Sequence, residues 1–238
     1  MITVIQTIPY LNLALAFIPV IIVLGIGWKW SLNYLNYTYA VFRMLVQLLL
    51  IGFVLEYIFM AKSSPIVIVV LAVMLISSSW IALGNINIPK KKIILKTFIS
   101  ISIGGGFVLV LITQFVLKLD PWFLPSYMIP LAGMIFANSM NGISLAGERV
   151  ESEMSRGMSY NEARIIALKA SLIPITNALF AVGLVSLPGM MTGQILSGVS
   201  PFIAARYQIM VMCMIFGSTG ITSALFLNLV KKELTQRD

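Results

Sequence analysis

Apolar residues in this chain come in blocks of about twenty, separated by short polar connectors, and that spacing removes most folds before any motif is considered. An α-helix needs about 20 residues to cross a hydrocarbon layer roughly 30 Å thick. Seven such blocks can be read, at about 8–28, 38–60, 65–86, 93–117, 123–147, 171–191 and 203–229. Charged residues make up 10% of the chain and hydrophobic ones 59%, whereas a soluble domain carries about 25% charged residues. A soluble fold of this length has too little interior to hide so much apolar surface. The expectation is an all-α, polytopic integral membrane protein of about seven transmembrane helices, with one transmembrane domain over 1–238. The opening stretch, 2–26, lacks a basic n-region and a small-residue cleavage site, so it reads as a retained span.

Lysine and arginine in such a chain report topology first. If the N-terminus lies outside, the cytoplasmic connectors hold Lys29, Lys90, Lys91, Lys92, Lys96, Arg149, Arg156, Arg164, Lys169, Lys231, Lys232 and Arg237. The opposite side holds only Lys62, Lys118 and Arg206. The bias predicts N-terminus out and C-terminus in, in a multi-pass protein of the inner (plasma) membrane. A net charge of +8 is thereby accounted for without nucleic acid as a partner.

The side-chain inventory excludes several chemistries. There is no histidine and one cysteine, Cys213. Imidazole metal sites, histidine proton relays, Ser-His-Asp triads and an intramolecular disulfide are therefore absent. No GxxxxGK[ST] phosphate loop occurs. The run Gly104-Gly105-Gly106 has no following lysine and lies inside a span, so it reads as a helix-packing or flexing site. No catalytic residue is expected, and no cofactor on this chain.

Polar residues inside a span are costly and therefore candidates for a translocation path. Gln47 and Glu56 lie in the second span, Asn138 and Asn141 in the fifth, and Asn177 in the sixth. Arg43 and Gln47, like Asn138 and Asn141, share a helix face. Amides of this kind equally serve to bond one helix to another. Arg43 is near a span end and can snorkel. The sixth span is read as ending in Leu187-Pro188-Gly189-Met190-Met191-Thr192-Gly193-Gln194. Pro188 removes a backbone donor, so a break here would bare carbonyls toward a cavity, while Gly189 and Gly193 also suit a kink at a dimer contact. Pro188, Gly189, Met190, Met191 and Gln194 join the candidate path. The 14 methionines offer soft ligands in principle and core filler in practice, so a metal site is left unassigned.

Of the charged residues, a third fall in one connector, 148–170, which includes Glu148, Arg149, Arg156, Glu162, Arg164 and Lys169. Ser159 followed by Glu162 fits a capping box, in which the serine accepts from a first-turn N–H and the glutamate reaches back to the serine N–H. Gly157 permits a turn before it, so the expectation is a helix leaving the membrane, a turn, and a short amphipathic helix from about Tyr160 toward the next span. A solvated loop would read the same way. The sharper expectation is a coupling element for a soluble ATPase, formed by Glu148, Arg149, Arg156, Gly157, Ser159, Glu162, Arg164 and Leu168. Its apolar face would be Ala163, Ile166, Ala167 and Ala170.

The string Gly183-Leu184-Val185-Ser186-Leu187-Pro188-Gly189-Met190-Met191-Thr192-Gly193-Gln194-Ile195-Leu196, with Asn141-Gly142-Ile143-Ser144-Leu145-Ala146, Ala170-Ser171-Leu172-Ile173-Pro174 and Tyr207-Gln208-Ile209-Met210-Val211-Met212, resembles the FetB (YbbM) family of ABC transporter permeases. Bacterial members are linked to iron export and plant relatives to aluminium tolerance. The resemblance implies a permease homodimer working with a separate ABC ATPase subunit, which would bind ATP and Mg and drive export of iron or another metal ion. A gradient-driven secondary transporter of a small solute is the alternative. It would need an ion site, and Glu56 is the one acidic residue read within a span.

Overall fold

The computed structural model describes residues 8–61 and 63–235, and the regular elements among them are helices. The readings made above for 2–7, Lys62 and Arg237 lie outside the described residues. Among the described residues, seven helical stretches are long and apolar enough to cross a membrane: Tyr10–Lys29, Tyr34–Ile58, Ser64–Ala82, Lys90–Val116, Pro125–Ser155, Tyr160–Ala181 and Pro201–Leu229. The all-α, seven-span expectation holds. Packing divides the chain into two compact units, Met1–Ala61 with Leu196–Gly198, and Lys62–Ile195 with Val199–Asp238.

In the first unit, α1 (Tyr10–Leu15) and α2 (Ile18–Lys29) form the first span, with Pro19 in the first turn of α2. Proline is tolerated there because a first-turn N–H has no intrahelical acceptor. After a left-handed Ser31 the chain returns as α3 (Tyr34–Ala61). Gly27 is where the two helices approach, since a Cβ placed on it would lie 3.6 Å from Tyr34 Cβ. The rest of α3 is apolar around nearly its whole circumference and largely exposed. A helix of that kind is suited to lipid or to another helix, not to water.

The second unit contains α4 (Ser64–Ala82), α5 (Lys90–Ser100), α6 (Gly106–Val110), α7 (Pro125–Ser155), α8 (Tyr160–Ala181), α9 (Gly189–Leu196) except its last residue, α10 (Pro201–Leu229) and α11 (Lys231–Thr235). Two π-helical segments, Ile101–Gly105 and Leu111–Val116, flank α6 and join α5 to it as one continuous span. At the centre stands α7, packed against α4, α8, α10 and the first π segment. Close approach is bought by small residues: a Cβ on Gly104 would come within 2.8 Å of Thr222 Cγ2, and one on Gly142 within 2.7 Å of Ser223 Oγ. Buried threonine hydroxyls bond back along their own span, Thr97 donating to Ile93 O at 3.0 Å and Thr113 to Leu109 O at 2.8 Å. This arrangement removes the cost of burying them.

The sixth span differs from its expected position. It begins at Tyr160 and ends at Ala181, rather than spanning about 171–191. Its start is set by Ser159, whose Oγ accepts from the Glu162 N–H at 3.4 Å. Its end is set by backbone geometry, because Val182 is extended and Gly183 is left-handed at φ 82°. Gly183 N–H then donates to Ser186 O at 2.9 Å, closing a tight turn. Pro188 is therefore not a kink inside the span. It stands at the entry to α9, its carbonyl accepting from Thr192 N–H at 3.0 Å.

Connectors predicted to share one side of the membrane meet at one end of this unit. Asn87 N–H donates to Glu151 Oε2 at 2.8 Å, Lys96 pairs with Glu233, and the Tyr160 hydroxyl donates to Leu227 O. Leu227 lies in the last turn of α10, where carbonyls lack an intrahelical donor. Tyr160 thus ties the start of α8 to the end of α10, and the Lys231 ammonium sits 5.8 Å over its ring.

Candidate translocation cavity and charged hairpin

The turn after α8 opens a cavity of about 370 Å³ within the second unit. Met134 and Asn138 of α7 form one wall, Ile175 and Ala178 of α8 a second, and Gln208, Val211 and Met212 of α10 a third. Ser186, Pro188 and Met190 close it from the link and from α9. A neighbouring cavity of about 320 Å³ shares Val182, Gln208 and Met212 and adds Met191. Gln208 stands between the two.

Three residues expected to line a path, Asn138, Pro188 and Met190, are brought together here. Asn138 Nδ2 donates one hydrogen to Met134 O at 2.8 Å, which leaves its second N–H and its amide oxygen for other partners. Gln208 is 4% exposed, and its Oε1 has no hydrogen-bond partner. A buried amide oxygen left in that state is uncommon. Gln208 was not singled out from sequence, although it is an amide within the apolar block 203–229 and meets the criterion that selected Asn138.

The other candidates fall elsewhere. Gln47 and Glu56 are exposed on α3 of the first unit. Asn141 is exposed on α7, and Asn177 is exposed on α8 outside the cavity wall. Gly189 and Gly193 face open space, where an added Cβ would meet nothing within 4 Å. Gln194 Oε1 is buried with no hydrogen-bond partner. Among the described residues, no three His, Cys, Asp or Glu side chains gather in a way that would hold a metal ion.

The charged connector is a helical hairpin. At its tip α7 ends in a Schellman arrangement, with Met158 N–H donating to Glu153 O at 3.3 Å and Gly157 N–H to Met154 O at 2.9 Å. Gly157 occupies the left-handed position at φ 86°, which a glycine adopts without strain. Ser159 then caps α8. The capping box is only half formed, because the serine hydroxyl donates to Glu162 Oε2 at 2.7 Å and the carboxylate does not reach the serine N–H. Arg149 approaches the buried Glu153 carboxylate at 2.6 Å, and Arg156 stands 3.8 Å from it. The Glu153 charge is thereby matched where it is buried.

Half of the apolar face expected for docking is instead used internally, while Ile166 and Ala170 stay half-buried. Ala163 and Ala167 are fully buried, since α8 packs them against α7 and α10. The outward face near the tip carries Glu162, Ile165 at 65% exposure, and Lys169. Glu148 and Arg156 are also exposed, Arg164 and Leu168 half-buried.

Comparison with known proteins places the chain in a broader setting. The model of UPF0014, described as an uncharacterised protein family, matches residues 10–235. A UPF0014 membrane protein of Synechocystis sp. is 38% identical over 73% of this chain and 73% of its own length. A protein of Escherichia coli named as the probable iron export permease FetB is 32% identical over 89% of this chain and 86% of its own. The Arabidopsis thaliana protein ALUMINUM SENSITIVE 3 is 32% identical over 78% and 72%, respectively. No solved structure matches.

Proposed function

Because the chain belongs to the UPF0014 family of multi-pass membrane proteins, we propose that it is the permease subunit of an ABC exporter. Its ATPase is a separate chain that binds ATP and Mg. The E. coli relative's name supports iron as the load; another metal ion fits the same reading. The α7–α8 hairpin carries the proposal. It presents Glu148, Arg156, Glu162, Ile165 and Lys169 to solvent, an apolar knob with a charged rim of the kind that seats in a groove of a soluble partner.

The lysine and arginine bias orients this end toward the cytoplasm, with the N-terminus outside and the protein in the plasma membrane. Two permease copies would complete the transporter. The open face at Gly189 and Gly193 suits a second helix, because small residues let backbones approach.

The test is purification of the full-length permease with its neighbouring gene products, then ATP-dependent transport in reconstituted vesicles. An ATPase is expected to copurify. Reversing the charges at Glu162 and Arg164 is expected to cut ATP-driven transport at least tenfold while the permease stays folded. Transport that persists without ATP, or an unaltered double reversal, would overturn the reading.

A further inference from the structure

We infer that the cavity between α7, α8 and α10 binds an amphipathic organic molecule with hydrogen-bonding groups and at most one positive charge, not a bare multivalent cation. This deepens the permease reading and rests on it only in calling that molecule the load. Four observations carry the inference.

No residue lining the cavity is charged. Moving a multivalent ion out of water into such surroundings is prohibitive unless anionic ligands compensate, and here there is neither a carboxylate nor a thiolate. Second, its polar side chains are neutral: the amides Asn138 and Gln208 and the hydroxyl of Ser186. Asn138 Nδ2 gives one of its two hydrogens to Met134 O, and the deeply buried Gln208 Oε1 has no partner. Amides and hydroxyls both donate and accept, so they match a ligand with neutral hydrogen-bonding groups.

Third, the carbonyls of two lining residues are already engaged. Ser186 O accepts from Gly183 N–H and Pro188 O from Thr192 N–H, so neither is a free oxygen for a cation. Finally, most of the remaining wall is aliphatic or thioether, contributed by Met134, Ile175 and Met212 among others. Apolar walls with a few placed polar groups are what small organic ligands require. A metal load would accordingly cross inside an organic complex whose outer surface has this character.

The probe is dansylcadaverine, a fluorescent amphipathic amine with one positive charge and N–H donors, titrated into full-length permease in lipid nanodiscs without any ATPase. Saturable binding with a blue-shifted emission is expected. Gln208→Leu and Asn138→Leu are each expected to weaken it about tenfold, the loss of one good hydrogen bond. Gln208→Met, which keeps the packing volume, guards against misfolding and is expected to show the same loss with an unaltered elution profile. Ferrous ion alone is expected not to displace the probe.

Probe binding that is absent, or insensitive to all three substitutions, would overturn the inference, as would displacement by free ferrous ion. Since no ATPase is present, these results stand apart from the copurification test. A permease that binds the probe but has no ATPase would refute the exporter reading and leave the site intact.

Discussion

The triple glycine offers a controlled comparison, because adjacent residues in one span face different surroundings. A Cβ on Gly104 would meet Thr222 Cγ2 at 2.8 Å, Ile221 Cγ2 at 3.0 Å and the Thr222 backbone nitrogen at 3.1 Å. Two of these atoms belong to β-branched side chains with little rotamer freedom in a helix, and the third is main chain. Gly104→Ala must therefore push α10 away, at a cost of about 2 kcal/mol, within the usual 1–3 for overpacking. A Cβ on Gly106 would meet nothing within 4 Å, so Gly106→Ala carries no such penalty. Both substitutions gain similarly, up to about 1 kcal/mol, from replacing glycine in a helix. That gain cancels in the comparison and leaves about 2 kcal/mol between them. At about 2–4 °C per kcal/mol for a chain of this size, the two variants should melt about 4–8 °C apart, with Gly104→Ala the lower. The assay is the fraction of detergent-solubilised protein that elutes as a monodisperse peak after heating. Equal melting of the two variants would refute the close approach of α10 to Gly104.

Other consequences can be measured in the same preparation. Tyr160→Phe removes the donor to Leu227 O and should lower stability by about 1 kcal/mol, with faster hydrogen exchange at the end of α10. Arg149→Met leaves the buried Glu153 with only the 3.8 Å contact to Arg156, and should cost about 3 kcal/mol; adding Glu153→Leu should recover most of it. Burial would raise the Glu233 carboxyl, but the hydrogen bond from Lys96 and the charges of Lys96 and Lys232 hold it below its ordinary value of 4.5. A lowered folded value means the stabilisation is complete above 4.5 and disappears as pH falls through the folded value. Wild type should therefore melt above Glu233→Gln at about pH 6 and lose that advantage as acidification carries the pH below 4.5 and through the lowered folded value.

How much was legible in the sequence follows from what each signal measures. Span number was legible because hydrophobic length is a direct consequence of bilayer thickness. The start of α8 was legible in Ser159 and Glu162, which mark a cap just before Tyr160, but the membrane span was begun only at about 171 because an apolar window cannot follow a helix into charged residues. Its end was misplaced because Gly183, not Pro188, terminates the helix, and the proline was the more conspicuous residue. Ala163 and Ala167 were read as an outward face since sequence spacing shows which residues share a face but not which neighbour covers it. Gln208 escaped notice inside Tyr207-Gln208-Ile209. Its significance depends on a missing partner, and only coordinates can show that.

The continuity of α8 has a mechanical side. The same helix carries Glu162 at the charged tip and Ile175 and Ala178 in the cavity wall, with Pro174 between them. Pro174 has no N–H for the Ala170 carbonyl, which makes this the most compliant point of the rod. Glu162 lies about 18 Å from this point and Ala178 about 6 Å, at 1.5 Å per residue. A displacement at the tip is therefore passed on undiminished along the roughly three turns up to Pro174 and absorbed there as bending, so the wall beyond feels it only once the bend is taken up. Stiffness at one residue thus sets how much of what happens at the tip is felt in the cavity.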